Sequence, residues 1–102
     1  MIPKIEFLPT ALLELNDAIE YYNLELPGLG TKFKEEVRTS LKRVSVFPEA
    51  WSILRPEIRK CIMHKFPYNI LYSIQENTLL IIAIAHHHRH PDYWIERLNE
   101  KK

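Results

Sequence analysis

The chain has 102 residues and a mass of 12.2 kDa, which fits one domain, residues 1–102, and leaves no room for a second. Hydrophobic residues make up 46% and aromatic residues 11%, enough for a core without disulfides or structural metal, so disorder is excluded for most of the length. Fourteen Lys and Arg against 13 Asp and Glu leave a formal charge of +1, too little for net charge alone to drive nucleic-acid binding.

The charge is unevenly placed. Residues 1–50 hold 6 basic and 8 acidic side chains, residues 51–102 hold 8 basic and 5 acidic, and all five histidines lie in the second half. Cys61 is the only cysteine, so no intramolecular disulfide forms, and Met1-Ile2-Pro3-Lys4 lacks the apolar stretch of a secretory signal. A cytoplasmic location is expected. The apolar run Leu79–Ala85 is far shorter than the ~20 residues a membrane helix needs, so no membrane association is expected.

Lys4 to Leu8 alternates like a strand with one wet face, Ile5 and Phe7 opposing Lys4 and Glu6. Pro9-Thr10 ends it, with Thr10 the expected N-cap of a helix to about Glu25 carrying Ala11, Leu15, Ala18, Ile19, Tyr22 and Leu26 at helical spacing. Pro27-Gly28 breaks the pattern. A second stripe, Leu29, Phe33, Val37, Leu41 and Val44, predicts a helix up to Pro48, its Lys and Glu residues forming a solvated face. Two helices so closely joined pair as a hairpin.

Pro48 to Pro56 reads as irregular, and three strands follow: Ile58–Phe66, Asn69–Gln75 and Leu79–His86. Glu76-Asn77 is the turn of the last pair, and the unbroken apolar run at 79–85 suits an interior strand covered on both faces. Beyond the histidines, Pro91 with Tyr93, Trp94, Arg97 and Leu98 predicts a short helical turn. The expected fold is α+β, in the order β-α-α-β-β-β, with the helical hairpin packed on a small antiparallel sheet.

Several segments in this order resemble the RelE/ParE superfamily of bacterial toxins. They are Ala18-Ile19-Glu20-Tyr21-Tyr22, Pro27-Gly28-Leu29-Gly30, Phe33-Lys34-Glu35-Glu36-Val37, Arg59 ahead of Phe66-Pro67-Tyr68-Asn69-Ile70-Leu71-Tyr72, and His86-His87-His88-Arg89-His90-Pro91-Asp92-Tyr93-Trp94 with Arg97. The likeness covers nearly the whole chain and is closer to the ParE-like branch. It implies the toxin of a type II toxin-antitoxin system, of the kind associated with plasmid stabilization and growth inhibition, neutralised by a cognate antitoxin. ParE-type members poison DNA gyrase; RelE-type members cleave mRNA on the ribosome. No cofactor is implied.

RNA cleavage next to a 2′-hydroxyl needs a proton acceptor, a proton donor and cations around the phosphorane. The RelE-like pattern implies basic residues on the middle strands and a tyrosine near the C-terminus. Lys60 and Tyr93 keep that character, but Ile62 and Asn69 stand where basic residues belong, and His87 takes the place of an arginine, with Arg89 two residues on. An alternative nuclease set is Lys60, His86, His88, Arg89 and Tyr93, with His64 on a neighbouring strand, since imidazole suits proton transfer at neutral pH. His86, His88 and His90 also raise a metal reading, but nothing at zinc spacing accompanies Cys61, and no metal is expected.

The leading expectation is a ParE-like toxin that works by binding, with Arg59, Arg89, Tyr93, Trp94 and Arg97 engaging target or antitoxin. Charge reversal at Arg89 or Arg97 then removes toxicity and leaves the fold intact. The alternatives are an mRNA endonuclease acting with the ribosome, or a non-toxic relative that retains antitoxin binding. Structural roles compete for the same residues: Arg59 pairing with Glu57 or Glu76, Tyr68, Tyr72 and Cys61 in the core, Trp94 as a packing anchor and Trp51 the more exposed tryptophan.

Overall fold

The computed structural model describes residues 4–99. Strand β1 (Lys4–Phe7) leads into α1 (Pro9–Glu25) and α2 (Leu29–Val46), followed by β2 (Ser52–Arg55), β3 (Ile58–Ile62), β4 (Tyr68–Gln75), β5 (Thr78–His86) and a 3-10 turn (Ile95–Asn99). The strands form one sheet in the order β1-β5-β4-β3-β2. The helical hairpin and the α+β class are as expected, and two features are added. β1 runs parallel to β5, making the sheet mixed, because the hairpin carries the chain across from one edge before the antiparallel meander begins. The stretch read as irregular holds the edge strand β2, too short and too exposed to show alternation.

α1 opens two residues earlier than expected. Leu8 is extended and occupies the N-cap, and Pro9, whose ring presets a helical φ, takes the first helical position ahead of Thr10. The hairpin turns at Gly28, whose φ of 92° is left-handed backbone that a glycine adopts without steric cost. With no side chain at that N-cap, α2 borrows one from α1: Asn23 Oδ1 accepts from the amides of Gly28 (3.2 Å) and Gly30 (2.8 Å). Gly30 is also where the helices come closest, since a Cβ there would lie 2.2 Å from the Ile19 carbonyl oxygen.

Phe33, Val37, Leu41 and Val44 bury the inner stripe of α2, each contributing about 1.5–3 kcal/mol by burial. Glu36, expected on the solvated face, is instead buried at 8% exposure. α1 is less immersed; Ala11 and Ala18 are buried, but Leu13 and Leu24, and Leu26 at its C-cap, stand in solvent. β5 is buried from Leu79 to Ala85, as an interior strand with both faces covered must be.

On β4 and β5 the pairs Tyr68–His86 and Ile70–Ile84 share a face with the helices, where Tyr68 meets Tyr22 and Phe33. Asn69–Ala85 and Leu71–Ala83 point to the opposite face. A bulge breaks the register there: Leu71 pairs with Ala83 but Tyr72 with Ile81, so Ile82 is the extra residue. Tyr72 is fully buried, its hydroxyl donating to the Pro48 carbonyl at 2.6 Å, and Cys61 is fully buried as expected.

Candidate functional site at the open end of the sheet

Strand β5 ends at His86, and the chain turns sharply across the end of the sheet. The amide of His87 donates to the Pro67 carbonyl and that of Arg89 to the His86 carbonyl, so residues 86–90 form a tight shelf. His86 packs edge-on against Tyr68 and His88, each ring centroid 5.0 Å away, and its Nδ1 accepts from the His88 amide. Burial, then the proximity of His88 and His87, lowers the pKa of His86 below the ordinary imidazole value. His87 Nε2 lies 3.1 Å from Asn69 Oδ1, a bond in which that ring nitrogen carries the proton. His64, expected on a strand, sits instead in the exposed loop between β3 and β4.

Beyond the shelf, the tail folds over the outer face of the sheet and is anchored by one residue of α1. Glu14 Oε2 accepts from the Tyr93 hydroxyl (2.7 Å) and from Arg97 Nη2 (2.6 Å), and Glu14 Oε1 accepts from Arg97 Nη1 (2.8 Å) and from the Ile84 amide (3.0 Å). Arg97 Nη1 also reaches the Ile82 carbonyl at 3.3 Å. Two guanidinium groups approach the Tyr93 ring, Arg89 at 4.0 Å and Arg97 at 4.7 Å from its centroid. Burial and then the bond to Glu14 push its phenol pKa well above the ordinary value. Trp94 is 1% exposed, with its indole N–H donating to the Pro91 carbonyl, and Asp92 pairs with Arg55 of β2.

These contacts sort the expected residues. Lys60, His86, Arg89 and Tyr93 are brought onto one cleft of about 180 Å3, while His88 touches His86 but does not line it. Trp94 and Arg97, expected to engage a target, are placed inside the fold: Trp94 fills the core side of the tail, and Arg97 is a bidentate internal partner of Glu14. Charge reversal at Arg97 therefore attacks the fold itself. Arg59 pairs with neither Glu57 nor Glu76; it donates to the carbonyls of Trp51 (2.7 Å) and Glu49 (3.1 Å), holding the chain entering β2. Trp51 is half-buried, its indole nitrogen enclosed.

Glu14 escaped the sequence reading. The signal was present, because Glu14 lies three residues after Ala11 and four before Ala18, a carboxylate on the stripe those alanines mark as buried. Among the described residues, no three His, Cys, Asp or Glu side chains are arranged to hold a metal ion, and no helix is long and apolar enough to cross a membrane.

The site thus sits where β5 ends, on a helical hairpin laid on a mixed five-stranded sheet. Residues 5–91 match the family described as ParE toxin of type II toxin-antitoxin system, parDE, and the chain belongs to that family. The match stops at Pro91, short of Tyr93, Trp94 and Arg97.

Solved structures share the fold at low identity. A structure of the chromosomal ParDE system of P. aeruginosa aligns with a TM-score of 0.72 at 12% identity, covering 83% of this chain and 96% of that one. A mutant E. coli RelE toxin, in complex with an antitoxin RelB peptide, aligns at 0.65 with 17% identity over 94% of both chains. The isolated E. coli RelE toxin aligns at 0.64 with 19% identity, covering 94% of this chain and 95% of that one. No curated protein matches.

Proposed function

We propose that this type II toxin arrests growth by binding a cellular target, with DNA gyrase the target its ParE family membership points to, and that a cognate antitoxin holds it inactive in the cytoplasm. The structural neighbours include toxin-antitoxin systems, which supports the antitoxin partner. The observation that carries binding over catalysis is the state of Tyr93. A phenol that donates to Glu14, contacts two guanidiniums and has its pKa pushed up is a poor proton donor or acceptor for RNA cleavage at neutral pH. Ile62 and Asn69 add nothing cationic where an RNA phosphorane needs charge. In this reading Arg89, exposed and without an ion-pair partner among the described residues, is the cation presented to the target.

A second reading rests on the cleft, where Lys60, His86, Arg89 and Tyr93 meet. It makes the chain an mRNA endonuclease acting with the ribosome, His86 taking the proton that Tyr93 is ill placed to handle. Controlled expression without antitoxin separates the two. Growth arrest with gyrase-linked DNA breaks and intact mRNA supports target binding; arrest with codon-positioned mRNA cuts, mapped by primer extension, overturns it. Expression with neither arrest nor cuts marks a relative that has kept antitoxin binding and lost toxicity.

A further inference from the structure

Among the described residues Glu36 is the only buried charged one, at 8% exposure, and its carboxylate makes no ion pair or hydrogen bond there. Lys32 stands one turn before it on α2, in the order that favours a lysine and glutamate pair less, and Arg43, nearly two turns after it, donates to Ser40 at 3.4 Å instead. A carboxylate buried without a partner costs stability unless a group from outside arrives to meet it. Glu36 lines a groove of about 490 Å3 between α2 and the loop joining β3 to β4, together with Lys32, Glu35 and Thr39 of the helix and Lys65 and Phe66 of the loop. The Phe66 ring is fixed from within by Tyr22 and Phe33, whose centroids are 5.0 and 5.1 Å away, while Lys32, Glu35 and Lys65 stand exposed at the rim.

We infer that this groove receives an arginine side chain from a protein partner, on a segment that carries acidic residues to either side of that arginine. A guanidinium presents paired N–H donors in one plane, which matches the two oxygens of Glu36, and the same plane packs on an aromatic ring such as Phe66; a lysine ammonium offers neither the fork nor the plane. The volume lies within the roughly 300–1,000 Å3 of ligand-binding pockets, so the groove admits the side chain together with the backbone that bears it. Lys32 and Lys65 at the rim repel a polyamine or a wholly basic segment and attract acids that flank the arginine. Glu35 and Glu36 lack the third ligand among the described residues that a metal ion would need. The inference goes beyond the target-binding reading, since the groove shares no lining residue with the cleft at the end of β5 and stands whichever target the toxin binds.

The test uses the whole chain and an acetylated, amidated peptide with a central arginine, an alanine on each side and a glutamate at each end. Three relatives of it carry citrulline or lysine in place of the arginine, or lysine in place of both glutamates. In an NMR titration the arginine peptide should move the Glu36 and Thr39 amides and the Phe66 ring, the lysine peptide should bind about tenfold more weakly, and the citrulline peptide, which keeps the shape without the charge, should not bind. Glu36→Gln should lose at least about tenfold in affinity with an undiminished melting temperature, because no bond within the chain is lost. Lys65→Glu, an exposed change that leaves the buried carboxylate in place, should turn the preference from the peptide with glutamate ends to the one with lysine ends. Absence of any response to the arginine peptide, equal binding of the citrulline peptide, or binding that survives Glu36→Gln overturns the inference. A melting temperature that falls in Glu36→Gln also overturns it, by showing that the carboxylate serves the fold, and free arginine binding as tightly as the peptide assigns the groove to the amino acid and removes the protein partner.

Discussion

Glu14 and Arg97, 83 positions apart in the chain, together complete the edge of β5 where β1 has ended. β1 covers that edge only as far as Phe7 opposite Ile81, and the bulge at Ile82 then turns the Ile82 carbonyl and the Ile84 amide outward. Glu14 takes the amide and Arg97 the carbonyl, so the ion pair acts as a missing piece of strand.

Glu14→Leu and Arg97→Leu are each expected to cost about 3 kcal/mol, because each leaves the other charge stranded in a site where the side chains are only 18% and 14% exposed. The double variant should lose less than the sum of the two. Arg89→Ala, which loses an exposed cation–ring contact with Tyr93 and no ion pair, should stay within about 1 kcal/mol. Urea denaturation of the four variants checks all three statements, and growth arrest by a folded Arg89→Glu protein would count against Arg89 as the target-facing cation.

The two glycines of the hairpin turn should respond differently. Gly30→Ala forces a Cβ to within 2.2 Å of the Ile19 carbonyl and 2.6 Å of the Asn23 side chain, so the helices must separate and the cost should exceed about 2 kcal/mol. Gly28→Ala meets no atom within 4 Å and suffers only from its left-handed backbone, about 1 kcal/mol. Asn23→Ala, removing the cap that both amides share, should cost about 1 kcal/mol. Thermal melts of the three variants give the ranking.

Glu57 holds φ of 68° in the turn between β2 and β3, directly after Pro56, where type II turns favour glycine. Glu57→Gly is expected to stabilise the protein by about 0.5–1 kcal/mol, the relief of left-handed strain exceeding the added freedom of the unfolded chain. A rise in denaturation midpoint without a change in slope is the confirming result.

The lowered pKa of His86 has a stability consequence. Because its folded value lies below the unfolded one, the unfolded chain binds more protons between them, and stability rises with pH across that interval. The contribution is complete above the unfolded histidine value of about 6.5 and is lost as the pH falls toward the folded value. NMR titration should place the His86 midpoint below about 6.5 and move it upward in His88→Gln, which removes the larger of the two imidazole repulsions; a midpoint that does not move in His88→Gln excludes His88 as a cause of the shift.

The helical hairpin, the Glu76-Asn77 turn and the buried run of β5 were legible in the linear chain because each depends on neighbours within a few residues: a 3.6-residue stripe, a two-residue turn and an unbroken apolar segment. The family likeness drew on the same local order. What local pattern does not carry is which polar side chains meet. Whether Arg97 faces a target or Glu14, whether Arg59 finds an acid or the carbonyls ahead of β2, and whether Trp94 is displayed or buried depend on how the tail crosses the sheet. The edge strand β2 and the parallel pairing of β1 belong with these, since both are defined by a partner far away in sequence. Burial and pairing of charges are settled by that long-range closure, because desolvation makes a charge costly wherever no opposite group arrives to meet it.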